Sequence, residues 1–227
     1  MPDPLLATLS VLQHADSMFP NGAVSFSWGL EALCNRGVVA GKEDLTEFMA
    51  AHIEGRWADL DRPVVVHALA AGEDLVRLAD LDRLVEAQSL AAELRLGSTR
   101  MGNALLNVHR RLRTPLAAEY LGLIQADQAL GHIAVAQGMI WGRLGLSAEQ
   151  AQLMSAHGLC TGILGAAIRL SVIGHMDAQA IHGRLLPLIE AVLRQPICPP
   201  EALHSFTPQI DIASMNHETD EMRLFVN

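Results

Sequence analysis

The chain has 227 residues, enough to bury a substantial core in one large domain. Half are hydrophobic but only 4% are aromatic, so Ala, Leu, Val, Ile and Met must build the interior, which favours packed helices over a β-sandwich. The formal net charge of −9, with 16 scattered basic residues, excludes duplex nucleic acid as an expected partner, because phosphate neutralisation supplies most of that affinity.

In chain order, Leu5, Leu6, Leu9 and Leu12 recur at helical spacing and predict a short first helix to about Ala15. Pro20-Asn21-Gly22 reads as a turn, since Pro presets one backbone angle while Asn and Gly tolerate positive φ. Phe26, Leu30 and Leu33 then give a second helix an apolar stripe that ends near Gly37. Asp44 with Glu47 predicts a capping box ahead of a third helix lined by Leu45, Phe48, Met49, His52, Ile53 and Trp57. Pro63 opens a fourth helix that Gly72 closes.

Leu75 to about Arg111 reads as helical with interruptions near Asp80 and Gly97. From Pro115 one long helix is expected to carry Tyr120, Ile124, His132, Ala136 and Ile140. Ser147 and Gln150 form a second capping-box pair ahead of an uncharged run from Gln150 to Ile168. That run nearly matches a bilayer in length, but Gln152, Ser155, His157 and Thr161 interrupt it, so a buried helix is expected. Gly158, Gly162 and Gly165 predict close helix-helix approach along it. Asp177 is placed at the cap of the last long helix, through Ile181, Leu185 and Val192.

No strand alternation is visible, so the expected fold class is all-α: a single-domain multi-helix bundle over residues 1–195. Pro196, Pro199, Pro200 and Pro208 make residues 196–227 a largely irregular docking tail. Its Phe206, Ile210, Ile212, Met215, Leu224 and Phe225 must pack on the bundle or on a partner.

Searches for chemistry come back empty. Gly41-Lys42-Glu43 fails the phosphate-loop pattern at its last position, and no Gly-x-Ser-x-Gly elbow surrounds Ser25 or Ser27. Of the ten histidines none are three or four residues apart, so a metal site would have to join distant segments or cross a subunit interface. The carboxylate pairs Glu73-Asp74 and Asp80/Asp82 read as solvated charges at helix ends. Cys34, Cys160 and Cys198 lie far apart, which argues against disulfides and a zinc knuckle and suits a reducing compartment. The N-terminus opens Met-Pro-Asp-Pro without a basic patch and apolar run, and the expected location is the cytoplasm. No catalytic residue, metal ligand set or cofactor is expected.

Two segments carry a resemblance. Asp16-Ser17-Met18-Phe19-Pro20-Asn21-Gly22-Ala23-Val24-Ser25-Phe26-Ser27-Trp28-Gly29-Leu30-Glu31 resembles the pattern of the urease accessory protein UreF family: Pro-x-Gly, a small residue, spaced serines, then Gly-Leu-Glu. Asp211-Ile212-Ala213-Ser214-Met215-Asn216-His217-Glu218, continuing to Arg223-Leu224-Phe225, is similar to that family's C-terminal signature. The stretch from Gly131 to Leu193 is similar in layout to its central helices. The chain departs from the pattern in two places: Phe225 is followed by Val226-Asn227 in place of Arg-Ser, and Val172-Ile173-Gly174-His175 stands for Pro-Leu-Gly-Gln.

The resemblance implies an all-α homodimer without catalytic residues. It would bind the accessory protein UreD (UreH in some organisms), recruit the GTPase UreG and act on apo-urease during nickel insertion. The candidate partner-binding residues fall in the two segments. Pro20, Gly22 and Gly29 serve equally as turn and tight-packing residues, and Ser25 and Ser27 as helix caps. Glu31 falls outside the Phe26, Leu30, Leu33 stripe and is expected to be exposed and free to meet a partner. Leu224 and Phe225 are expected to dock on a partner or the bundle, while His217, Glu218 and Arg223 form either a local charge network or a recognition surface. Two other classes stay open: a helical nickel-binding protein or metalloenzyme using dispersed histidines, and a GTPase-activating protein supplying Arg36 or Arg100 in trans.

Overall fold

Apolar spacing resolves into helices throughout. In the computed structural model α1 (Pro4–Ala15), α2 (Leu30–Asn35) and α3 (Lys42–His52) lead into a π-helix, Ile53–Asp61, and α4 (Arg62–Ala71). Next come α5 (Leu75–Gln88), α6 (Ala92–Arg111), α7 (Ala117–Gln125), α8 (Ile133–Arg143), α9 (Ala148–Arg169) and α10 (His175–Leu193). A 3-10 turn, Pro200–Ala202, precedes α11 (Pro208–His217). The structure describes residues 4–16, 18–20, 22, 26–217 and 224–225, except the side chains of Pro4 and His217, and no strand occurs among them.

The uncharged helix α9 is the axis of the fold. By length and composition it could cross a membrane, yet 56% of its apolar window is buried inside the protein, against α1, α2, α3, α4, α8 and α10. Two hydrophobic clusters flank it. One gathers Leu30, Leu45, Met49, Ile53, Trp57, Ile163 and Ile181. The other gathers Val64, Val65, Leu78, Leu106, Tyr120, Val135 and Ile140. Complete burial of each large side chain contributes about 1.5–3 kcal/mol, so this apolar matching dominates the fold. Trp57 Nε1–H donates to Ser155 Oγ at 3.0 Å and ties the π-helix to α9.

Several local expectations change for identifiable reasons. The capping pair Ser147/Gln150 forms with both reciprocal bonds present. Asp44 instead reaches back from the first turn of α3 to the N–H of Ala40 at 2.9 Å, with Gly41 as N-cap. The N-cap of α10 is Gly174, and Asp177 lies in the first turn. Helix runs unbroken through Asp80 and Gly97; the break falls between them, at Ser89 to Ala91.

The long helix expected after Pro115 is two helices, because Asp82 holds the chain open between them. Its buried carboxylate accepts the N–H groups of Leu130, Gly131 and His132 at 3.0, 2.7 and 2.8 Å, and Tyr120 O–H at 2.6 Å. Asp82 is therefore the organising anion of a helix N-terminus rather than a solvated charge. The other three carboxylates of the two pairs, Asp80, Glu73 and Asp74, do lie at the surface, the first two paired with Arg83 and Arg143 and the third capping α5.

Glycine works at a different contact from the one expected. Gly158 and Gly165 have open space around them, and of the three only Gly162 meets a neighbour, Trp28 Nε1, which a Cβ would approach to 3.6 Å. One close approach between helices is that of α4 and α8, where a Cβ on Gly138 would lie 2.3 Å from Val65 O. The leucine stripe that marks α1 faces outward, and the small Ala7 is the residue of that helix that is buried.

The C-terminal segment is irregular on either side of its 3-10 turn but carries α11, whose Ile210 and Ala213 join the first cluster together with Phe225. The irregular stretch before α11 is held by the π-helix. Phe206 N–H donates to Gly55 O at 2.7 Å and His204 N–H to Asp59 O at 3.3 Å, so the tail supplies donors to π-helix carbonyls.

Candidate functional site

The two signature segments meet. Ser27 and Trp28 lead into α2 through a left-handed pair, Trp28 at φ +59° and Gly29 at φ +79°. Only glycine fits the second position, since a Cβ there would lie 2.9 Å from Ser214 Oγ and 3.3 Å from Ile210 O on α11. This close seating brings the start of α2 against α11. The buried Ser27 hydroxyl accepts the Glu31 N–H at 3.4 Å, satisfying one first-turn donor of the short helix.

Glu31 is buried, 4% exposed, contrary to the exposure expected from its place off the apolar stripe. Its Oε1 accepts Leu224 N–H at 2.7 Å and its Oε2 accepts Phe225 N–H at 3.0 Å. Bonds from backbone donors to a carboxylate are about twice as strong as neutral ones, so Glu31 clasps a tail more than 190 residues away in sequence. Phe225 then packs into the first cluster, 4% exposed, beneath the Arg169 guanidinium at 4.3 Å from its ring centroid. Burial lowers the Arg169 pKa, as expected for a cation partly withdrawn from water onto an aromatic face. Of the apolar pair, Phe225 thus docks on the bundle, while Leu224 stays 64% exposed.

Other predicted residues are distributed differently. Pro20 and Gly22 line a shallow groove on α6 with Ala104, Asn107 and Arg111. Ser25, Glu218 and Arg223 lie outside the described residues, as does the side chain of His217. Arg36 ends α2 and Arg100 lies on α6, both exposed.

Sequence reasoning missed Arg169, which completes the clasp, while Ser214 and Ile210, read only as parts of the tail, lie against Gly29. The available signal was Arg169 itself, the charge that ends an otherwise uncharged helix. Around the clasp the chemistry is quiet. Burial first, and then the Glu31 charge, push the Cys34 thiol up to about 11, which keeps it protonated and poorly nucleophilic. Asp211, at the first turn of α11, is raised by burial and accepts the Thr207 hydroxyl at 3.3 Å. No group of three or more His, Cys, Asp or Glu side chains able to hold a metal occurs among the described residues.

Fold and clasp together define a class: an all-helical protein in which one buried carboxylate joins a segment near the start of the chain to another near its end. Residues 39–186 match the family model described as UreF. Over 226 residues the chain is 33% identical to the urease accessory protein UreF of Trichodesmium erythraeum (strain IMS101), covering 96% of each. It is 31% identical over 225 residues to urease accessory protein UreF 1 of Brucella melitensis biotype 1, covering 96% of this chain and 92% of that one. To UreF of Bacillus sp. (strain TB-90) it is 30% identical over 223 residues, covering 96% and 98%. The chain belongs to the UreF family of urease accessory proteins.

Proposed function

We propose that this chain is a non-catalytic cytoplasmic scaffold for urease maturation. As a homodimer it binds UreD (UreH), recruits the GTPase UreG and supports nickel insertion into apo-urease, with residues 196–227 as the docking tail. The observation that carries this reading is the Glu31 clasp, which unites both family signature segments at one place. The elements it joins also present apolar residues to solvent, Ile212 at 58% and Leu224 at 64%, alongside Met215. Exposed aliphatic side chains on elements tied by hydrogen bonds have the makings of a partner interface.

Co-expression with UreD tests the reading. The chain is expected to co-purify with UreD and, alone, neither to bind nor to hydrolyse GTP. Absence of a complex with UreD would overturn the proposal.

A further inference from the structure

The histidines lack helical pair spacing in sequence, yet two of them face each other between neighbouring helices. We propose that His157 of α9 and His182 of α10 form a two-imidazole site for a late first-row divalent cation, with its remaining coordination positions open to water or to a further ligand. The ring centroids are 5.5 Å apart and the planes tilted by 43°. With metal–nitrogen bonds of 2.0–2.1 Å, an ion sits roughly 3 Å from each centroid. A 5.5 Å separation then corresponds to a centroid–ion–centroid angle of roughly 120–130°, wider than tetrahedral but within reach of a distorted four-coordinate site.

The surroundings favour such a site. Both rings are half-buried at a groove of about 330 Å³ whose lining also includes Val11 and Ala15 of α1, Leu153 of α9, and Leu186 and Ile189 of α10. The apolar walls hold the rings while the open side admits an ion and its water. The groove lining holds no carboxylate, and two neutral nitrogen donors select Zn2+, Ni2+ or Cu2+ over Mg2+ or Ca2+.

Other histidines do not compete on these terms. His14 and His109 also adjoin, but their rings stack within 10° of parallel and their Nδ1 atoms are engaged by Ser10 O and Thr114 Oγ1. His132 is held by Ser98 and Glu86. Two ligands make an exchangeable site rather than a closed structural one.

The test is calorimetric titration of the full chain with Zn2+ and with Ni2+, without any partner protein, so that it stands apart from the scaffold proposal. One His157/His182-dependent ion per chain is expected. His157→Ala and His182→Ala should each weaken it by about tenfold or more, while His175→Ala, at the exposed start of α10, should not. His182→Gln guards against misfolding of the alanine variant, and circular dichroism without metal should match the parent for all. Unchanged stoichiometry and affinity in the well-folded His157 and His182 variants would overturn the site.

Discussion

Glu31 lies off the apolar stripe predicted from Phe26, Leu30 and Leu33, of which Phe26 precedes α2, yet it is buried because two backbone donors of a distant segment converge on it. A periodicity reading sees only the helix that bears the residue, and a partner from the far end of the chain lies beyond its reach. Glu31→Ala leaves both N–H groups without their acceptor and is expected to cost about 1–3 kcal/mol in urea denaturation. Arg169 and Phe225 should couple: a double-mutant cycle with Arg169→Ala and Phe225→Leu is expected to return about 0.5–2 kcal/mol, and strict additivity would contradict the stacking.

Helix termini and contacts follow a similar rule. The capping box at Ser147 was legible because both partners lie within one turn. The split between α7 and α8 was not, because the anion that enforces it comes from α5, some fifty residues earlier. Nor does the π-helix have a propensity signature in the sequence, since it is sustained by tail donors at Gly55 and Asp59. The glycines give a paired prediction. Gly138→Ala forces a Cβ to 2.3 Å from Val65 O and should destabilise by about 1–3 kcal/mol. Gly158→Ala meets open space and should stabilise by up to about 1 kcal/mol through helix propensity. Thermal melts of the two variants should therefore shift in opposite directions. Truncation after Pro208 removes Ile210, Ala213 and Phe225 from the core, so it should lower the melting temperature as well as partner binding, which makes point substitutions the cleaner probe.

Across the whole molecule the buried histidines set the response to acid. Burial, with nearby positive charge, depresses His52 and His132 to about 3 and His109 to about 4. The unfolded chain therefore takes up these protons first as pH falls below about 6.5. Their contribution is complete above that value and declines as pH falls from about 6.5 to about 4 for His109 and to about 3 for His52 and His132, at up to about 1.4 kcal/mol per pH unit for each histidine. Asp61 and Asp82, raised by burial, act in the opposite sense, because the folded state protonates them more readily as pH approaches the carboxylate range. Urea denaturation at pH 5.5 should give a stability about 2–4 kcal/mol below that at pH 7.5; equal values would contradict the burial of neutral imidazoles. The all-α class and most helix positions were legible from apolar spacing, whereas the clasp, the Asp82 anchor and the inward turn of the tail depend on long-range hydrogen bonds that no local pattern encodes.

The central claim is that the surface built on the clasp meets UreD. It is tested most directly by measuring UreD affinity for Ile212→Asp and Leu224→Asp beside Val76→Asp, a control on α5 at a 73% exposed position. All three should keep the parent's helical circular dichroism. The account predicts that the first two weaken the complex by at least about tenfold, or about 1.4 kcal/mol each, while Val76→Asp binds as the parent does. Equal affinity for all three, or a loss confined to Val76→Asp, would contradict it.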